Sequence, residues 1–157
     1  MNGARAAPSH PLTEPAMLPI DIPARDEFMA LAHERSPAAV SIYVETTPVT
    51  REVGASRIAY ENAVREAMDQ LAGIELPRGA REALAEQLDD IAEDDELWAR
   101  QANTLAVLAT PEAARTFRLA NRVSPAVEVS DRFHLKPLLR ALAFPHAGFV
   151  LALSQSG

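Results

Sequence analysis

The sequence predicts a single α/β domain, a mixed β-sheet of about five strands covered by about four helices. Three observations predict it. Residues Ala39–Glu45 alternate with period two, the pattern of a strand. Residues Ala55–Ala72 place Tyr60, Val64, Ala67 and Leu71 at helical spacing. Short apolar runs then recur between residues 104 and 153, set apart by turn-forming residues. The chain has 157 residues, enough for one domain of ordinary size and too few for two. Its apolar fraction of 48% includes 30 alanines but only 5% aromatic residues, so the core rests on Leu, Val and Ile with close Ala contacts.

Residues 1–16 read as a disordered tail, because Pro8, Pro11 and Pro15 interrupt any hydrogen-bonded element. No apolar stretch follows the initial Met-Asn-Gly-Ala-Arg, so the tail does not resemble a secretory signal and a cytoplasmic location is expected. Residues 17–147 form the expected domain. A helix after Pro23 carries Phe28, Leu31 and Ala32 on one face and ends at Ser36-Pro37. In the strand that follows, Val40, Ile42 and Val44 are expected to face the core, with Ser41, Tyr43 and Glu45 facing outward. The helix at Ala55–Ala72 has Gly73 at its C-terminal cap. Its Arg57, Glu61, Arg65 and Asp69 form a charge ladder on the solvated side, worth about 0.2–0.5 kcal/mol per pair. A second helix, after Leu76-Pro77, has Leu84, Leu88 and Ile91 as its stripe.

Thr104–Ala109 and Arg115–Leu119 read as strands of a hairpin joined through residues 110–114, and Ala126–Ser130 as a third short strand. A helix is expected to begin near Asp131 to His134, with Asp131 as its cap and Leu135, Leu138, Leu139 and Leu142 as its apolar face. Pro137 is tolerated in a first turn, where amides lack intrahelical partners. Gly148–Leu153 reads as a continuous apolar strand. Because such a strand expects burial on both faces, residues 148–157 are read as the first strand of a truncated following domain.

Cysteine is absent, which excludes disulfide scaffolds, thiolate metal sites and cysteine nucleophiles. The longest apolar runs are far shorter than the ~20 residues of a membrane span. No Gly-rich phosphate loop and no paired histidines occur, so neither a small-molecule cofactor nor a metal is expected. Ser130, Asp131 and His134 are neighbours in sequence, but adjacency does not create triad geometry, and no catalytic residue is assigned. Seven acids between Glu86 and Glu96 lack the ligand spacing of a calcium loop and read as a solvated helix end. Trp98 reads as a core or interface anchor, and His134 as a partly buried, hydrogen-bonded histidine.

Charge is distributed unevenly. Residues 1–96 hold 8 basic and 19 acidic side chains, whereas residues 97–157 hold 7 basic and 3 acidic. Arg132, Lys136 and Arg140 recur every four residues, opposite the leucine stripe, and Arg115, Arg118 and Arg122 shortly precede them. These six cations are the candidate RNA-binding residues, since guanidinium and ammonium groups form charge-assisted hydrogen bonds to phosphate. The plainer reading is a solvated face whose arginines pair with the acidic first half.

Four runs then appear in a telling order: Val40-Ser41-Ile42-Tyr43-Val44; Leu97-Trp98-Ala99-Arg100-Gln101 leading into Leu105-Ala106-Val107; Asp131 to Leu139 (DRFHLKPLL); and Leu151 to Gln155. Together they resemble the N-terminal domain of the bacterial branch of the archaeal and eukaryotic peptide-chain release-factor family, which is related also to Pelota. The resemblance covers about residues 18–155, with Tyr43, Trp98, Phe133, His134 and Pro137 among the motif positions. It implies a non-catalytic domain docking near the ribosomal decoding site, in translation termination, ribosome rescue or hibernation, with the ribosome or ribosomal RNA as partner. The family's Gly-Gly-Gln loop, its Asn-Ile-Lys-Ser motif and its Tyr-x-Cys-x-x-x-Phe motif are all missing from these residues. Peptidyl-tRNA hydrolysis and stop-codon reading are therefore not expected of this chain. A second expectation is a protein-interaction module, perhaps a homodimer, using the final strand or the acidic helix and having no nucleic-acid role.

Overall fold

Two strands built almost wholly of apolar residues lie at the centre of the structure, a computed structural model that describes residues 17–143. The first, β1 (Ala39–Glu45), is buried along its length except at Glu45. The second, β2 (Thr104–Ala109), is buried throughout. On the outer sides lie β3 (Ala114–Leu119) and β4 (Ala126–Ser130), giving the order β3-β2-β1-β4. Around this sheet pack α1 (Arg25–His33), α2 (Val53–Leu71), α3 (Ala80–Glu93), α4 (Asp95–Ala99) and α5 (Lys136–Ala143), with a short 3-10 turn at Thr50–Glu52. The expected α/β class holds, with four strands among the described residues. The tail at 1–16 and the expected strand at Gly148–Leu153 lie outside them.

All three strand pairings are antiparallel, so the expected mixed sheet is corrected. The cause is where the helical excursion begins and ends. Chain leaves β1 at Glu45, passes through α2, α3 and α4, and returns at Thr104, which sits directly opposite Glu45. The Thr46 N–H donates to the Asn103 carbonyl at 3.0 Å and closes that junction. An excursion that starts and finishes at one end of a sheet can only deliver an antiparallel neighbour.

Each sheet face has its own core. On one, Val40, Ile42 and Val44 of β1 meet Leu105 and Val107 of β2 beneath Tyr60, Val64, Ala67 and Leu71 of α2. Leu84 and Leu88 of α3 and Trp98 of α4 complete that cluster. On the other face, Tyr43, Ala106, Leu108, Phe117 and Leu119 pack against Leu31 of α1, Phe133, and Leu138 and Ala141 of α5. Ser41 and Tyr43 are therefore buried rather than outward-facing, at 1% and 0% exposure. Alternation in β1 separates two covered faces, not a wet face from a dry one.

The helices show three further departures. First, α5 begins at Lys136, so Asp131 is not its cap. Asp131 instead bonds its neighbours, accepting from the Ser130 hydroxyl at 3.2 Å and from two nitrogens of Arg132 at 3.1 and 3.3 Å. Second, Asp94 breaks the acidic stretch by accepting the Leu97 N–H at 2.9 Å, which caps the extra short helix α4. Third, the α2 charge ladder is not paired along the helix: Arg57 reaches Asp95 of α4 at 2.8 Å, and Arg65 donates to Asn62. Before α3, Gly79 adopts φ +81°, a left-handed conformation that glycine takes without a Cβ penalty.

Candidate nucleic-acid interface

The six candidate cations do not form one surface. Successive side chains of a strand point to opposite faces, so Arg115 and Arg118 of β3 are divided by the sheet. Arg115 lies on the α1 side, 3.9 Å from the Glu34 carboxylate. Arg118 lies on the other side, where it donates to the Arg100 carbonyl at 3.0 Å and faces Asp21 at 3.5 Å. Asp21 also exchanges two backbone hydrogen bonds with Arg118, at 2.8 and 3.0 Å, so this pair fastens the segment before α1 onto the edge of β3. Both arginines serve the fold.

Arg132 is also withdrawn, because it lies in the loop before α5 and forks onto Asp131. The guanidinium beside it holds the Asp131 carboxyl below its usual range, and the carboxylate in turn raises the guanidinium. The expected helical row of Arg132, Lys136 and Arg140 thus reduces to Lys136 and Arg140, one turn apart on α5.

Those two residues and Arg122 do come together. They line a cleft of about 590 Å³ with Asn121, Val123, Ser124, Pro125, Ala126, His134 and Pro137. One wall is the loop between β3 and β4. Two consecutive residues, one just before β2 and one its first, hold it: Asn103 donates from its amide to the Ala120 carbonyl at 2.7 Å, and the Thr104 hydroxyl donates to the Asn121 carbonyl at 2.8 Å while accepting the Val123 N–H at 3.0 Å. The other wall is the loop 131–135 with the first turns of α5. Here the His134 N–H donates to the Ser41 hydroxyl at 2.9 Å, and the Tyr43 hydroxyl donates to the His134 carbonyl at 2.6 Å. A buried tyrosine of β1 thus holds the loop that leads into α5, where Asp131 was expected to act. Burial pushes that phenol well above its ordinary range, which keeps it protonated as a donor.

The motif residues divide accordingly. Tyr43, Phe133 and the His134 backbone build the wall; the half-buried His134 ring meets Tyr43 edge-on at 6.3 Å and lies 3.9 Å from Glu128. Pro137 lines the cleft. Trp98 is a core anchor on the far face, its indole N–H donating to the Ile91 carbonyl at 2.9 Å and its ring 5.6 Å from that of Tyr60. In the cleft, Arg122 is paired with Glu45. Lys136 and Arg140 are exposed and form no ion pair among the described residues.

Apart from Arg122, the loop side of the cleft, with Asn121, Val123, Ser124 and Pro125, is what reading along the chain missed. Its residues resemble any polar turn, and only the bonds to Asn103 and Thr104 give them a shape. Among the described residues no cluster of three or more His, Asp or Glu side chains could hold a metal ion, and no helix is long and apolar enough to cross a membrane. No family model matches the sequence, and no curated protein matches it.

Proposed function

We propose that this chain is a non-catalytic docking domain that binds RNA, in the first place ribosomal RNA, through the cleft lined by Arg122, Lys136 and Arg140. The observation that carries the reading is the pair Lys136 and Arg140, projecting from one face of α5 over a concave surface. Exposed cations with no acidic partner among the described residues displace counterions when they meet phosphate, and so contribute to binding. Arg122 contributes after exchanging Glu45 for phosphate. The resemblance to release-factor N-terminal domains supports the ribosome as the partner and termination, rescue or hibernation as the process.

Co-sedimentation with ribosomes over a salt series tests this reading. Wild-type binding should weaken steeply as salt rises, and the Lys136→Glu/Arg140→Glu double variant should bind about tenfold less or worse. Arg132→Gln, altering a cation already occupied by Asp131, should bind as wild type. Equal binding by the double variant would remove the cleft from the proposal.

A further inference from the structure

We infer that the cleft between α5 and the β3–β4 loop grips a single phosphate-bearing nucleoside, an unpaired nucleotide of an RNA strand or the same chemistry as a free nucleotide. The inference rests on the docking reading above and adds what the cleft holds.

Shape comes first. A concavity of about 590 Å³ lies inside the ~300–1,000 Å³ range of small-molecule sites. An RNA duplex presents its backbone over a broad convex surface and cannot enter such a space, whereas an unpaired nucleotide splayed from its strand can. Chemistry follows the same division. Lys136, Arg140 and Arg122 supply donors for a phosphate, Val123, Pro125, Ala126 and Pro137 supply apolar surface for a base or ribose, and the Asn121 amide and Ser124 hydroxyl supply neutral hydrogen-bonding groups. A site for phosphate alone needs no apolar lining, and a site for an apolar ligand needs no cations.

Rigidity is the third consideration. Both walls are fastened to the two central strands, one through Thr104 and the other through Ser41 and Tyr43. The cleft is thereby formed before any ligand arrives, and binding loses little to ordering its walls.

Fluorescence anisotropy on the full chain, with a short dye-labelled, 5′-phosphorylated single-stranded RNA as probe, tests the inference. Competitors are AMP, adenosine, inorganic phosphate and a blunt RNA duplex of the same sequence. AMP should compete about tenfold better than adenosine, the worth of one charge-assisted hydrogen bond, and about tenfold better than inorganic phosphate, which lacks the base and ribose contacts. Ser124→Trp, an exposed position, should fill the cleft and weaken AMP about tenfold while leaving the circular dichroism spectrum unchanged. A duplex that competes as well as the single strand, with Ser124→Trp binding AMP like wild type, overturns the nucleotide pocket. The docking reading survives that result if ribosome binding still depends on Lys136 and Arg140. Conversely, AMP binding read directly by isothermal titration calorimetry and abolished by Ser124→Trp, with no binding of ribosomes or of the RNA probe, supports the pocket, identifies the ligand as a free nucleotide and defeats the docking reading.

Discussion

Tyr43 and His134 stand 91 residues apart, yet the tyrosine hydroxyl donates to the histidine carbonyl at 2.6 Å and fixes the loop that leads into α5. That bond is part-buried, beside the smaller of the two cores, where the Tyr43 ring packs with Leu138 and Phe133. Removing the hydroxyl leaves the His134 carbonyl without this partner. Tyr43→Phe should therefore cost about 1–3 kcal/mol, read as a lower urea midpoint, with faster hydrogen exchange at the His134 amide of the same loop. Unchanged exchange there would mean that the phenol does not hold the loop before α5.

Both tyrosines of the chain carry an alkaline signature. Desolvation raises the Tyr43 phenol, and desolvation aided by the Asp89 charge raises Tyr60, each above an ordinary value of 10.0. In the folded state these groups keep their protons, while in the unfolded chain they ionise near 10.0. The unfolded state then binds fewer protons, so stability is fully present below pH 10 and declines as pH climbs beyond it. Denaturant melts at stepped alkaline pH should show that decline, and tyrosinate absorbance should appear only with unfolding. Tyr60→Phe should shrink the decline.

Trp98 is the sole tryptophan and is 2% exposed. Its emission should be blue-shifted and poorly quenched by acrylamide until the domain unfolds. Trp98→Ala should destabilise by about 3–5 kcal/mol, because it removes the contact with Tyr60 and opens a cavity between α2 and α4. A loss no larger than that of an exposed residue would contradict its place in the core.

Gln70 of α2 reaches the edge of β4, where its amide donates to the Val127 carbonyl at 3.1 Å and its carbonyl accepts the Val129 N–H at 3.2 Å. A side-chain amide thus occupies edge positions that another strand would use. Gln70→Ala should lower stability by about 1 kcal/mol, since both bonds are exposed, and should raise self-association measured by light scattering. Monomeric behaviour at every concentration would show that the edge is protected by other means.

Asp131, held down first by its hydrogen bond from Arg132, should titrate below the ordinary 3.8 in carbon-detected NMR. A depressed carboxyl stabilises the fold above its unfolded value, and that contribution fades as pH falls through the folded one. Arg132→Gln should return the titration toward 3.8. No return would show that the shift has another source.

Much of the architecture was readable along the chain. The helical stripe Tyr60, Val64, Ala67 and Leu71 and the hairpin around Pro111 depend on neighbours close in sequence, and local periodicity reports such neighbours directly. The α4 turn was hidden because five residues are too few for a period, and its Asp94 cap reads as one more acid in a run. Five-versus-four strands turned on Gly148–Leu153, which lies outside the described residues.

The candidate site was less readable. Six cations within 26 residues look alike as letters, but β3 divides two of them between opposite faces, and local carboxylates occupy Arg122 and Arg132. Which charges remain for a partner depends on where Glu34, Asp21, Glu45 and Asp131 fall in space.

Sequence alone determined the class of the fold, most of its elements, and the exclusion of cysteine chemistry, because composition and short-range spacing act within a few residues. Tertiary structure decided the antiparallel sheet, the burial of both faces of β1, the tyrosine that holds the loop before α5, and the gathering of Arg122, Lys136 and Arg140 around one cleft. Those outcomes arise from contacts between residues tens of positions apart, set by how the helices return the chain to the sheet, and no local pattern encodes that return.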